Sequence, residues 1–271
     1  MALWSFFSYW MLPVFSSLVW FGMLLGMLLH WVIDTNTRHY PEMSEHAHIA
    51  YISNVGAHEL KPLFIAGSTV TAVFLDLSFV AERWLRHNGR LVPNTSIGEK
   101  ILASLTILCA LIGTLGLILL TILDTWRHHH LHGGFLVVFI VGYLLSAVFI
   151  CWEYQRLGIK NRQHRVLRAS FWVKLTFVIV EVALVIVFIA NSARHEPNVA
   201  AVFEWIVAFI FTFYILSFVI DLYPAIRTKE YSSRFEKPGD VEEAATPAPA
   251  GSGPTLHQGE YPVVDRNAAN F

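Results

Sequence analysis

Charge is what this sequence has least of. Asp, Glu, Lys and Arg make up 14% of its 271 residues, where a water-soluble domain carries roughly 25%. That scarcity excludes an ordinary soluble fold, and it leaves no basic surface of the kind that holds nucleic acid. Cysteine is nearly missing as well. Cys109 and Cys151 both fall in apolar runs, so no disulfide framework is implied. The sequence has no Walker loop, no Gly-x-Ser-x-Gly elbow and no His-Glu-x-x-His, which removes the common nucleotide, serine-hydrolase and zinc-protease chemistries. No basic leader with a small-residue cleavage site precedes the first apolar run, which therefore reads as a retained anchor. No pair of short or Gly/Pro-broken apolar segments marks an inverted-repeat transporter.

What the sequence has in excess is hydrocarbon, with 55% of its residues hydrophobic. Six apolar runs lie at about 11–33, 63–85, 101–123, 135–154, 172–190 and 202–223. Each is close to the ~20 residues that carry a helix across roughly 30 Å of hydrocarbon. A bilayer supplies no partner for an open backbone, so these runs are helices. The expected fold is therefore all-α, a polytopic membrane protein with six transmembrane helices over residues 1–224. The remainder, 225–271, is rich in Pro, Gly, Ala, Ser and Glu and reads as a disordered cytosolic tail.

Fifteen of the nineteen Lys and Arg residues fall on one side of these runs. The other four are Arg38, Lys61, Arg127 and Arg194. The basic side should face the cytosol, which puts both termini there. Asn94-Thr95-Ser96, the only glycosylation sequon, then lies in a cytosolic loop and stays unmodified. On the far side only the first loop, about 34–62, is long. It should fold back over the helix ends, because it has few charges and is too long for a tight turn.

Three constellations are candidate sites. Asp76 and Glu181 each sit nine residues from the basic end of an apolar run, about 13 Å deep at 1.5 Å per residue. A carboxyl group at that depth is costly and marks a functional site by default. The two share a proton or hold a polar lipid part if their helices touch. Otherwise each is bonded locally, with Ser68, Thr69 and Thr71 as neighbours of Asp76 and Lys174 partly neutralising Glu181. In "DTWRHHHLHGG", Asp124, His128 and His132 recur at four and share a face on a continuous helix. That spacing suits a metal, but Gly133-Gly134 implies a turn that would break the face. The alternatives are a polar rim at the helix ends, a headgroup or proton sensor, and a metal site, in falling order; no metal or other cofactor is expected. Arg156, Lys160, Arg162, Arg165 and Arg168 crowd one basic loop. They mark either topology alone or contact with anionic lipid headgroups. Glu82–Arg86 and Glu153–Arg156 read as rim pairs, Asp221 as another anchor, and Gly22–Gly26 as a GxxxG packing face.

The segments "YISNVGAHELKPLFIAGSTVTAVFLDLSFVAERWLRHNGRL", "GTLGLILLTILDTWRHHHLHGGF" and "FICWEYQRLG" resemble the FRAG/DRAM/SFK family of six-helix membrane proteins, and within it the fungal suppressor-of-four-kinase branch. The resemblance spans about residues 10–225. It implies a non-catalytic protein of the plasma membrane that supports phosphoinositide signalling or lipid organisation, with phosphatidylinositol phosphates and a phosphatidylinositol 4-kinase complex as partners. Other branches imply two alternatives: an enzyme or enzyme partner in GPI-anchor lipid remodelling in the ER or Golgi, and a vacuolar autophagy modulator. The resemblance brings no catalytic residues with it. An enzyme would need polar groups converging on a lipid-accessible cavity, and a scaffold a filled bundle with a basic surface.

Overall fold

The computed structural model describes residues 8–94, 96–160 and 165–227. The described residues are helical with no strand. Six helices are long and apolar enough to cross a membrane. They are α1 (Met11–Leu29, continued by a π-helical turn His30–Asp34), α2 (Lys61–His87), α3 (Ile97–Ile122), α4 (His129–Lys160), α5 (Arg165–Ala193) and α6 (Pro197–Ser217, continued by Val219–Leu222). Most of the proposed tail, residues 228–271, lies outside the described residues.

Local sequence explains the ends. Pro62 and Pro197 stand in the first turns of α2 and α6, where a missing N–H costs nothing. Glu99 accepts a hydrogen bond from the Ser96 N–H at 3.1 Å and closes the start of α3. The tight α5–α6 turn passes through His195 in the left-handed region, φ 59°. The helices reach well beyond the apolar runs, so Arg156 and Lys160 ride on a helical extension of α4, and Arg165 and Arg168 on one of α5, rather than in a loop. Gly133 and Gly134 make no turn: α4 starts at His129 and runs straight through them.

Each helix packs on its neighbour in sequence and α6 closes on α1, which makes a ring of six. The α3–α4 contact is the most extensive, and glycine makes it possible. A Cβ on Gly142 would stand 2.5 Å from the Gly113 backbone nitrogen, and one on Gly116 would stand 2.6 Å from that of Phe139. On α1 the GxxxG does not act this way: nothing approaches Gly22, and the close contact is Gly67 of α2 against Met23. Ser16 Oγ donates to the Thr71 carbonyl at 2.8 Å and Trp20 Nε1 to that of Ala208 at 2.8 Å, tying α1 to both its neighbours. By contrast α5 has no buried residue between 175 and 193.

Residues 35–60 fold back over one end of the ring, the loop end. Trp205 Nε1 donates to the Ala50 carbonyl at 2.9 Å. Asn198 Oδ1 accepts from the N–H groups of His48 and Ile49, and its amide donates to the His46 carbonyl. Trp31 bonds the Arg38 carbonyl at 3.2 Å. Trp31 and Trp205 thus point inward, while Trp84, Trp126, Trp152 and Trp172 are exposed near helix ends, as an interfacial belt requires.

Candidate functional site

Asp76 on α2 is buried. Its Oδ2 accepts a hydrogen bond from Thr114 Oγ1 of α3 at 2.7 Å, and Thr114 in turn meets the Tyr143 hydroxyl of α4 at 2.7 Å. Because Thr114 spends its proton on Asp76, Tyr143 is the donor to Thr114. Asp76 Oδ1 has no partner. The partner that holds Asp76 is therefore Thr114 across a helix interface, not Ser68, Thr69 or Thr71 on its own helix.

Glu181 on α5 is not joined to this chain. Its Oε1 is buried without a hydrogen bond, and it lines a cavity of about 150 Å³ inside the ring. All six helices contribute to the walls, which are mostly aliphatic and aromatic. Tyr143, the far end of the Asp76 chain, is one wall of the cavity, but Asp76 and Thr114 do not line it. A second carboxyl group, Glu204 of α6, also faces the cavity. Its Oε2 accepts the Ile52 N–H at 2.8 Å, which pins the folded-back loop over the cavity as a roof. Glu204 was not singled out from sequence, although a lone acid in an apolar run was signal enough.

At the opposite, basic end the carboxylates turn inward and are satisfied. Glu82 accepts two bonds from Arg86, at 2.7 and 3.0 Å, and one from the Tyr154 hydroxyl at 2.6 Å. Asp221 pairs with Lys174 and Ser170. Lys174 is wholly buried, 4.2 Å above the Phe218 ring. It therefore neutralises Asp221, not Glu181. Glu153 accepts from Asn94 and lies 3.9 Å from Arg83. It does not pair with Arg156, whose guanidinium lies against Gly98.

Glu82, Glu99, Glu153 and Asp221 are all buried, and so are Arg86 and Lys174. Lys100, Arg156, Lys160, Arg165 and Arg168 are exposed. Arg162 lies outside the described residues.

The polar cluster at the loop end resolves into helix caps. Asp124 Oδ2 takes a bond from Lys61 Nζ at 2.5 Å and Oδ1 takes the Arg127 N–H at 2.8 Å. Burial raises the Asp124 carboxyl, but these two donors outweigh it and hold the group below its ordinary value of 3.8. His132 Nδ1 lies 2.8 Å from the Leu120 carbonyl and 3.0 Å from that of Leu123. Carbonyls only accept, so Nδ1 carries the proton and closes the orphan carbonyls at the end of α3. His128 is exposed and meets Asp124 and His132 only through backbone hydrogen bonds. Among the described residues no group of three His, Cys, Asp or Glu is placed to hold a metal ion.

Residues 8–225 match the family described as the Frag1/DRAM/Sfk1/Cwh43P N-terminal domain. The chain is 30% identical over 245 residues to protein sfk1 of Schizosaccharomyces pombe, covering 89% of this chain and 70% of that one. It is 23% identical over 272 residues to protein SFK1 of Saccharomyces cerevisiae, covering 78% and 77%. No solved structure matches it.

Proposed function

The chain belongs to the Frag1/DRAM/Sfk1/Cwh43 family of integral membrane proteins, and from that premise we propose that it supports phosphoinositide signalling or lipid organisation at the plasma membrane without itself being a catalyst. The observation that carries this reading is the division of charge at the basic end. Among the described residues the carboxylates there are buried, and Arg156, Lys160, Arg165 and Arg168 are exposed. A leaflet rich in anionic lipid attracts such a surface with about 1 kcal/mol per cation. Inositol phosphates, with more charge per headgroup, are held better than singly charged lipids. In this reading the basic end is cytosolic, and a phosphatidylinositol 4-kinase complex meets the membrane beside it.

The test is binding of the purified protein in nanodiscs to phosphatidylinositol 4-phosphate, comparing wild type with Arg162→Gln/Arg165→Gln/Arg168→Gln. Loss of three contacts should weaken binding by roughly a hundredfold, and raised salt should weaken it too. Unchanged binding by a normally inserted variant would reduce these cations to topology markers. One observation favours a second reading, an enzyme or enzyme partner in GPI-anchor lipid remodelling: two carboxyl groups face an apolar cavity. Altered anchor lipids in a deletion strain, restored by wild type and not by Glu181→Gln, would select it.

A further inference from the structure

We propose that the cavity inside the ring is a binding site for a net-cationic, single-chain amphiphile: an alkyl chain that ends in an ammonium group. The proposal does not rest on the basic-end reading, since the cavity lies in the half of the ring toward the loop end.

The lined wall has the length of one chain, and the enclosed volume of about 150 Å³ takes its head and first few carbons. Lining residues run from Phe177 to Phe188 on α5 and from Glu204 to Tyr214 on α6. At 1.5 Å per residue that is about 15 to 16 Å, half of a roughly 30 Å hydrocarbon core and so the reach of one leaflet's chain. The α5 wall, with no buried residue from 175 to 193, is where the ring is least closed and where a chain would pass in from the bilayer.

The charge chooses the head. Two carboxyl groups line the cavity, and no Lys, Arg or His does. Glu181 Oε1 is buried there with nothing to bond. An isolated carboxylate in such surroundings is costly, and a cation beside it relieves most of that cost. Eight aromatic side chains share the lining, among them Trp20, Tyr143, Phe177, Phe211 and Tyr214. Ring faces attract ammonium groups, most strongly out of water. The bundle already holds one alkylammonium in this manner: Lys174 Nζ pairs with Asp221 and lies 4.2 Å from the Phe218 ring centre and 5.2 Å from that of Tyr154. A phospholipid headgroup would bring a phosphate into a cavity with no cation to meet it, which is why the ligand is a simple amine and not an aminophospholipid.

Trp20 lines the cavity, so a chain-brominated dodecylamine should quench its fluorescence. The experiment uses the full chain in phosphatidylcholine nanodiscs, with Trp20→Phe subtracted to isolate that signal. A chain-brominated alcohol of equal length and a brominated phosphatidylethanolamine are the other arms. The amine should quench at a concentration roughly tenfold or more below the alcohol, and Glu181→Gln should close most of that gap. Equal quenching by amine and alcohol in the wild type would overturn the proposal without recourse to any variant. So would phosphatidylethanolamine quenching as well as the amine, because the absent phosphate partner would then not matter. Phosphatidylinositol 4-phosphate binding at the basic end should be the same in wild type and Glu181→Gln, so the two readings stand or fall separately.

Discussion

Lys174 should be one of the most sensitive positions in the molecule. Its ammonium is fully buried, pairs with Asp221, donates to Ser170 Oγ at 2.9 Å and faces the Phe218 ring. Lys174→Met keeps the length of the side chain and removes the charge. Asp221 is then left with the Ser170 hydroxyl alone, in a place where water cannot compensate. Breaking a buried pair from one side costs about 3–5 kcal/mol, a shift of roughly a hundred- to several-thousand-fold in the folding equilibrium. Lys174→Met/Asp221→Leu removes both charges and should recover most of the loss, because apolar replacement of a whole buried pair is close to neutral. Thermal or denaturant unfolding in matched micelles measures all three variants, with Asp221→Leu alone completing the cycle. A single variant that loses less than about 1 kcal/mol, or a double variant as unstable as the worse single, would refute the idea that this pair is an interdependent unit.

Other expectations follow from the same geometry. Gly142→Ala should destabilise by about 1–3 kcal/mol, since its Cβ would meet the Gly113 backbone, whereas Gly158→Ala on the same helix, with open space around it, should gain up to about 1 kcal/mol; unfolding curves that move the same way for both would contradict the packing. Asp124 has a folded-state pKa below its ordinary 3.8, so its contribution is complete above that value and is lost as pH falls through the folded one. Lys61→Met should therefore flatten the fall in stability on the acid side of 3.8, and an unchanged acid limb would show that the Lys61 bond is not what lowers Asp124. Asn94 should carry no glycan in native protein, because its amide is engaged with Glu153 and its loop is expected on the cytosolic side; a glycan there would overturn the orientation.

The helices were legible because their signal is collective: some twenty apolar residues in a row leave a single physical solution. Pairings were legible only where they are local. Glu82 and Arg86, four apart on one helix, meet as their spacing requires. Glu153 and Arg156 have nearly the same spacing and do not, because Asn94 and Arg83 reach Glu153 from other elements. Lys174 lies within two turns of Glu181 in sequence, yet it turns to Asp221 on α6, a partner that only the closure of the ring supplies. The Asp124–His132 stretch misled for a related reason. Two glycines in a row suggest a turn, but nothing in the packing demanded one there, and the turn forms earlier, where Asp124 captures the Arg127 N–H.

The contrast between the two halves of the ring gives the cavity its meaning. Toward the basic end every described acid that leaves water finds a donor or a cation: Glu82 has Arg86 and Tyr154, Asp221 has Lys174 and Ser170, Glu153 has Asn94, and Glu99 has the Ser96 N–H. This chain can therefore supply partners for buried carboxyl groups, and a fully satisfied network fixes one packing. In the other half Glu181 is left with an unbonded oxygen beside a space that larger apolar side chains would have filled. A void costs stability in proportion to its volume, and an unpartnered acid at this depth costs more. Both penalties fall at the same place, in a protein that partners its buried acids toward the basic end. A bound chain with a cationic head removes both together: the chain fills the volume and the head partners the acid. A bare metal ion or a neutral hydrocarbon would each remove only one.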